Sequence, residues 1–399
     1  MSENLRKSIE ILFFFIGTIT LLHVTLLYRL FEPLYNVRIP FFIFLPLFFF
    51  GMGMLLSLQD IFKRKREYSN YILIISFIFF VLIFIFNVSF GSKYIEVGTE
   101  LTSTNFYVVI LIKSISSFLC GWVLYGVLER KRKSLNFIYF LVIISILSFI
   151  DFTNLTFDFS VYEDINDRNS YLIVSDMLVI CHFLSIFRVS NILVRSILHF
   201  IVLLLLFLLG SRTSLYLFFS SILFCELVLS STKRVVIPLY LIAVITGFLY
   251  LTHTGFWQEY ERMFSIFTGS ADHSISARKE LAKAGLNSIQ NNMILGDFMG
   301  QVSHGGGGTM LGSYIHDYRS YIRQFGLIGF IPILVLFSWI SVVAVRVVNF
   351  KKTNFHHYTY LSLYTYLVVE MIFSRAFNYT FWYFLVGYAA NINKKASHE

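Results

Sequence analysis

Of the 399 residues, 57% are hydrophobic and only 14% charged, with a mean hydropathy of +0.71. Soluble domains run nearer half apolar and a quarter charged, so that class is excluded. The net charge of +9 then has to be explained by membrane topology rather than by a nucleic-acid partner.

A spanning helix needs about 20 apolar residues, because the hydrocarbon core is about 30 Å thick and a helix rises about 1.5 Å per residue. In chain order such runs occupy 9–30, 39–58, 70–90, 106–128, 135–150, 171–187, 191–209, 213–229, 235–252, 326–348, 358–373 and 376–390. Lipid leaves no water for unpaired backbone groups, and no segment shows strand alternation, so the expected fold is all-α: a polytopic bundle of about twelve transmembrane helices. The first run follows Arg6 and Lys7 without a small-residue cleavage site and reads as a retained helix. Cys120, Cys181 and Cys225 all fall inside spans, show no pairing or metal spacing, and read as apolar filler.

Lysine and arginine set the orientation. The basic clusters at 63–67, 129–133 and 232–234, Arg188 with Arg195, Arg346 with Lys351 and Lys352, and both termini fall on one side of a twelve-span chain. The segment 151–168, on the other side, holds five carboxylates against one arginine. Both ends are therefore expected in the cytoplasm. The chain divides into residues 1–252 with nine spans, a large external loop at 253–325, and residues 326–399 with three spans and a cytoplasmic tail. A loop of about 70 residues is far longer than usual connections. Its stretches GFWQEYERMFSIF and ISARKELAKAGLNSIQ predict amphipathic helices on the outer surface. The glycines of GDFMGQVSHGGGGTMLG (296–312) lack the lysine and Ser/Thr of a nucleotide loop and read as a hinge or lid.

Against this background Arg212, Arg278, Arg319, Arg323 and Arg375 lie outside or at the outer edge of the bilayer. Arg212, in the short turn of LLGSRTSLYLFF, either snorkels as a helix cap or binds an anion. Arg278 in SISARKELAKAGL reads equally as a solvated face. His316, Arg319 and Arg323 are spaced three and seven apart, which predicts a cationic stripe on one helix. Arginine suits phosphate because its planar fork donates paired charge-assisted bonds at any accessible pH. These residues point to a site at the outer leaflet that grips a lipid-borne phosphate or pyrophosphate.

Three stretches in order, GSRTSLYLFF (210–219), SARKELAKAGLNSIQNNMILGDFMGQ (276–301) and HDYRSYIRQFGLIGF (316–330), resemble the Wzy O-antigen polymerases and the related O-antigen ligases. The resemblance implies a glycosyltransferase of lipopolysaccharide biosynthesis in the bacterial inner membrane. Its donor and acceptor would be undecaprenyl-diphosphate-linked oligosaccharides, and a flippase and a chain-length regulator would be working partners. It assigns Arg212 and Arg278 to the diphosphate, with Arg319 and Arg323 as helpers, and His316 to the acceptor hydroxyl, Asp317 and Glu280 standing as alternative bases. No cofactor is implied, and with no metal-ligand spacing outside, the reaction is expected to be metal-independent. Two rivals remain: the ligase, which expels the same leaving group, and a flippase or other transporter. A transporter would place ionisable groups near midplane, where Lys113, Asp176, His182, Glu226 and Glu370 lie, but it would also show an echo between halves, which is absent.

Overall fold

The computed structural model describes residues 68–90, 103–130, 139–140, 143–144, 146–147, 150–151, 156–157, 170–187, 189, 191–229, 273–300, 315–349 and 354–396. The expected spans at 9–30, 39–58 and 235–252, most of 135–150, and the loop stretches 253–272 and 301–314 lie outside these residues.

The described chain is helical apart from one antiparallel pair, β1 (Ile150–Asp151) with β2 (Thr156–Phe157), in which Ile150 opposes Phe157. The helices are α1 (Tyr68–Phe90), α2 (Ser103–Arg130), α3 (Ser170–Ile186), α4 (Ile192–Leu208), α5 (Arg212–Leu229), α6 (His273–Asn291), α7 (Arg319–Val348), α8 (Phe355–Phe373) and α9 (Phe381–Ala396). Eight spans read from hydropathy fall on helices. The last one starts late: Phe381 opens α9, and the preceding Ala376–Thr380 form a turn that carries Tyr379 N–H to the Ala376 carbonyl at 2.9 Å. An apolar run does not reveal such a turn, because its residues are as hydrophobic as the helix they precede.

Among the described residues α1 and α7 are long and apolar enough to cross a membrane. Their outward faces confirm the solvent they are built for. Ile75, Leu82 and Phe86 on α1, and Ile331, Leu334 and Val345 on α7, are all more than 50% exposed. Apolar stripes this long would be aggregation sites in water, but are the normal lipid face of a membrane helix. The protein is a membrane protein.

The contacts group the chain into two units interleaved in sequence. The first takes the described parts of Val123–Gly255 and Thr353–Leu363. Here α3, α4 and α5 pack on one another. Asn191 starts α4 by accepting the Leu193 and Val194 N–H groups at 2.9 and 3.3 Å. Gly210, at φ +68°, ends it and sets the tight turn into α5. Polar groups within these helices pair with each other. Arg195 meets Glu226 at 3.0 Å, and the Ser214 hydroxyl donates to Asp176 at 3.1 Å. Tyr139, His182 and His199 form a chain with contacts of 2.5 and 2.7 Å. Cys181 and Cys225 are buried free thiols, as filler should be.

The second unit takes the described parts of Glu67–Trp122, Phe256–Lys352 and Tyr364–Glu399. Helix α1 packs along α7, and α6 and α9 also pack against α7. Rings fill the centre: Phe80 stacks on Tyr383 at 5.7 Å and meets Phe325 edge-on at 5.6 Å. Helix α7 is not continuous. Gly326, at φ 62° and ψ −169°, breaks it, and Leu327–Val348 restart it with enough length to span, at the position where hydropathy begins the tenth span. The restarted helix finds partners for its first N–H groups in the chain leaving α6: Leu327 N–H donates to Met293 O at 2.9 Å and Ile328 N–H to Ile294 O at 3.3 Å. This crossing requires glycine on both strands. A Cβ on Gly326 would run into the Ile294 carbonyl, and one on Gly296 into the backbone of Gln324 and Gly326. Gly296 is thus a packed crossing point and not the hinge its sequence context suggests.

Candidate functional site

The region preceding α7 is organised by Asp317. Its Oδ1 accepts the Arg319 backbone N–H at 2.8 Å, a side-chain turn that fixes the start of the helix. The same carboxylate accepts the Arg319 guanidinium Nε–H at 3.0 and 2.9 Å on its two oxygens, with a further contact from Nη2. This contact raises the Arg319 pKa further above its ordinary value.

Because the helix begins at Arg319, His316 lies in the bend before it. The single stripe of His316, Arg319 and Arg323 expected from spacing is therefore not formed. Asp317 bonding terminates the helix on the N-terminal side, and the two arginines that remain in helical register have different surroundings. Arg319 is half-exposed and tied to Asp317. Arg323 is buried, at 7% exposure, with its stem beside Gly285 of α6 and its carbonyl accepting the Asp297 N–H at 2.6 Å. Asp297 in turn accepts from the Ser288 hydroxyl at 2.7 Å, and the buried Gln324 side chain accepts the Met299 N–H at 3.0 Å. These bonds lock the end of α6 onto the start of α7.

Helix α6 brings Arg278 to the same place. Positions 278, 282, 285 and 289 lie on one helical stripe. Gly285 and Ile289 on that stripe are buried, and a Cβ at 285 would clash with Ile315, the residue before His316. Arg278 is exposed at the N-terminal end of this face. Its charge reaches His316. The imidazole is pushed down to about 4, first by burial, then by the positive charges of Arg278 and Arg375, against the opposing pull of Asp317. At neutral pH His316 is a neutral imidazole, able to accept a proton.

Arg375 was among the outward arginines of the sequence but not among the expected site residues. It follows the end of α8, where an apolar run ends in Phe373, and that abrupt cation was the available signal. Its Nη2 meets Glu370 at 2.7 Å. Tyr379 donates its hydroxyl to the other Glu370 oxygen at 2.8 Å, and the guanidinium lies 5.5 Å from the Tyr379 ring centre.

Arg212 belongs to the first unit, as the first residue of α5 and half-buried. Beside it the Ser211 hydroxyl donates to Ser214 at 2.8 Å, which donates to Asp176. Glu280, an alternative base, is exposed on α6. Among the described residues no group of three or more His, Cys, Asp or Glu side chains is placed to hold a metal ion.

Residues 197–333 match the family model described as O-Antigen ligase, Wzy_C. This stretch belongs to the O-antigen polymerase and ligase superfamily. The O-antigen ligase match covers about a third of the chain and contains Arg212, Arg278, His316, Arg319 and Arg323, while Glu370 and Arg375 lie beyond it. No curated protein matches the chain. The likeness of this stretch is to a family of O-antigen processing, and it gives no support to the transport reading.

Proposed function

We propose that the protein is an O-antigen polymerase, joining undecaprenyl-diphosphate-linked repeat units at the outer face of the inner membrane. What supports glycosyl transfer from a lipid diphosphate, the chemistry that polymerase and ligase share, is the O-antigen ligase match, whose stretch contains both His316 and the Arg278 whose charge lowers the His316 pKa.

In this reaction a sugar hydroxyl of one lipid-linked unit attacks the anomeric carbon of another chain. A new glycosidic bond forms as the bond to the diphosphate oxygen breaks. The leaving diphosphate carries away the electron pair, and the hydroxyl proton passes to His316. Catalysis has two tasks: spreading the charge that develops on the diphosphate, which suits guanidinium groups, and accepting a proton. Arg278 is suited to the first and His316 to the second. The resemblance assigns Arg212 to the diphosphate as well, and its part is tested separately by mutation. Arg319 and Arg323 support the fold of this region through Asp317 and α6, with any contact to substrate secondary to that role.

The likeness to O-antigen ligases favours a second reading, transfer of finished polymer to lipid A-core. Deletion of the gene separates the two on a gel of surface polysaccharide. Loss of a polymerase leaves single repeat units on lipid A-core; loss of a ligase leaves bare core while polymer still accumulates on its lipid carrier. Complementation with Arg212→Ala or Arg278→Ala should reproduce the deletion at normal protein abundance. Normal polymer from both variants would refute the assignment of these arginines.

A further inference from the structure

Arg375 is an arginine at a helix end with a buried acidic partner, and nothing in the reaction as written so far uses it. The turn that carries it, Ser374–Thr380, packs on the segment that follows His316. Phe377 meets Tyr321 and Phe325 edge-on at 6.4 and 5.9 Å, and Trp382, just past the turn, donates its indole N–H to the Tyr321 hydroxyl at 2.8 Å. Tyr321 and Trp382 are both fully buried, so the turn and the start of α7 are fixed to one another.

Within this turn the guanidinium is held in place. Glu370, 0% exposed, takes Nη2 on one oxygen and the Tyr379 hydroxyl on the other. The Tyr379 ring lies against the guanidinium. A side chain with about 2 kcal/mol of rotamer entropy is thereby ordered before any ligand arrives, which is the arrangement expected of a preorganised anion clamp. The positive charge of Arg375, like that of Arg278, lowers the His316 pKa.

We propose that Arg375 is a second guanidinium beside His316 that, with Arg278, binds the diphosphate of the lipid-linked donor, and that Glu370 and Tyr379 are its positioning residues. This rests on the reading given under Proposed function and names a contact to substrate from outside the family-matched stretch. Two guanidiniums from different elements, α6 and the α8–α9 turn, suit a diphosphate better than a monophosphate, since each can take one phosphoryl group. Both charges bear on His316, which suits a base close to the leaving group.

The test uses the full chain purified in detergent, with geranylgeranyl diphosphate as a soluble stand-in for the donor's lipid diphosphate and geranylgeranyl monophosphate as its control. Binding is read by competition against the transfer reaction. Arg375→Ala should weaken inhibition by the diphosphate about 10- to 100-fold, as loss of a hydrogen bond to a charged group does, and raise KM for the lipid-linked donor. The monophosphate should be affected less. Arg375→Lys keeps the charge but loses the fork and should recover only part of the binding. Tyr379→Phe should weaken the diphosphate by a few-fold while protein abundance stays normal.

An Arg375→Ala protein that binds the diphosphate as tightly as the wild type, while Arg278→Ala does not, overturns this inference and leaves the proposed function standing. Unchanged binding and transfer in both variants overturns the proposed function itself. If Arg375→Ala fails to accumulate because Glu370 is left unpaired in the interior, the double variant Glu370→Leu/Arg375→Leu removes both charges and restores the fold. Weakened diphosphate binding by that protein supports the proposal, and unchanged binding overturns it.

Discussion

The two units use buried ionisable groups in contrasting ways. In the first, Arg195 with Glu226, Asp176 with Ser214, and Tyr139 with His182 and His199 lie within helices that are apolar along their length, and each finds its partner on a neighbouring element. In the second, Asp317 with Arg319 and Glu370 with Arg375 lie at helix ends, and Asp317, Arg375 and Arg278 adjust the basicity of His316. The lesson is one of position. An ionisable group inside a spanning helix must be neutralised by a neighbour or the bundle fails, whereas a pair at a helix end can hold one member in place for a ligand arriving from outside.

The sharpest way to break this comparison is to remove one partner from each class. Glu226→Ala leaves Arg195 uncompensated among apolar helices, and should cost about 3 to 5 kcal/mol of stability, seen as loss of membrane-inserted protein. The double change Glu226→Leu/Arg195→Leu should recover most of it. Arg278→Ala, on an exposed position, should leave abundance intact and reduce transfer about 10²- to 10³-fold, or about 2.7 to 4 kcal/mol, as loss of one preorganised charge-stabilising donor does. If Arg278→Ala instead lowered abundance and Glu226→Ala only activity, the division between the units would be wrong.

Gly326→Ala tests the crossing that carries His316 and Arg278 together. The new methyl group meets the Ile294 carbonyl at a backbone angle of φ 62° that side chains rarely adopt, so a loss of at least about 1 to 3 kcal/mol is expected, measured as a lower midpoint of thermal unfolding in detergent. A change of the same kind at Gly210, which has open space around it at φ +68°, should cost less, because strain remains but the clash does not.

The smallest effect is on pH dependence. His316 works as a base only when neutral, and its value of about 4 puts the acid limb of kcat/KM near that pH rather than near the ordinary histidine value. Burial lowers it most, the charges of Arg278 and Arg375 lower it further, and Asp317 raises it. Removing the Arg278 charge therefore raises the His316 pKa, and the acid limb of the residual Arg278→Ala activity should move to higher pH. A limb that stays in place would show that another group, Asp317 or Glu280 among them, accepts the proton. The same shift has a stability sign. The unfolded chain takes up this proton first as the pH falls, so the contribution of neutral His316 is fully present above about 6.5 and is lost toward about 4.

Much of the helical content was legible because long apolar runs are laid down as helices. Helices α1, α2, α3, α4, α5, α7 and α8 fall where hydropathy put them, and the helical stretch around Arg278 was visible in its composition. The cationic stripe was not. Three and seven residues is helical spacing only if the helix includes all three positions, and a carboxylate at 317 that bonds to its own backbone starts the helix two residues later.

What the sequence alone determined is the class of environment and the supply of chemistry: apolar runs that only a bilayer can solvate, and arginines and a histidine left at the ends of those runs. Only the tertiary structure decided which of these meet. Gly296 and Gly326 cross at backbone contact, Gly285 admits Ile315, and Phe377 packs on Tyr321 and Phe325, so that Arg278 and Arg375, 97 positions apart in the chain, both act on His316. Side-chain spacing along one helix is fixed by a known period, but contact between separate helices depends on which surfaces can approach closely, and that depends on the folded shape of both.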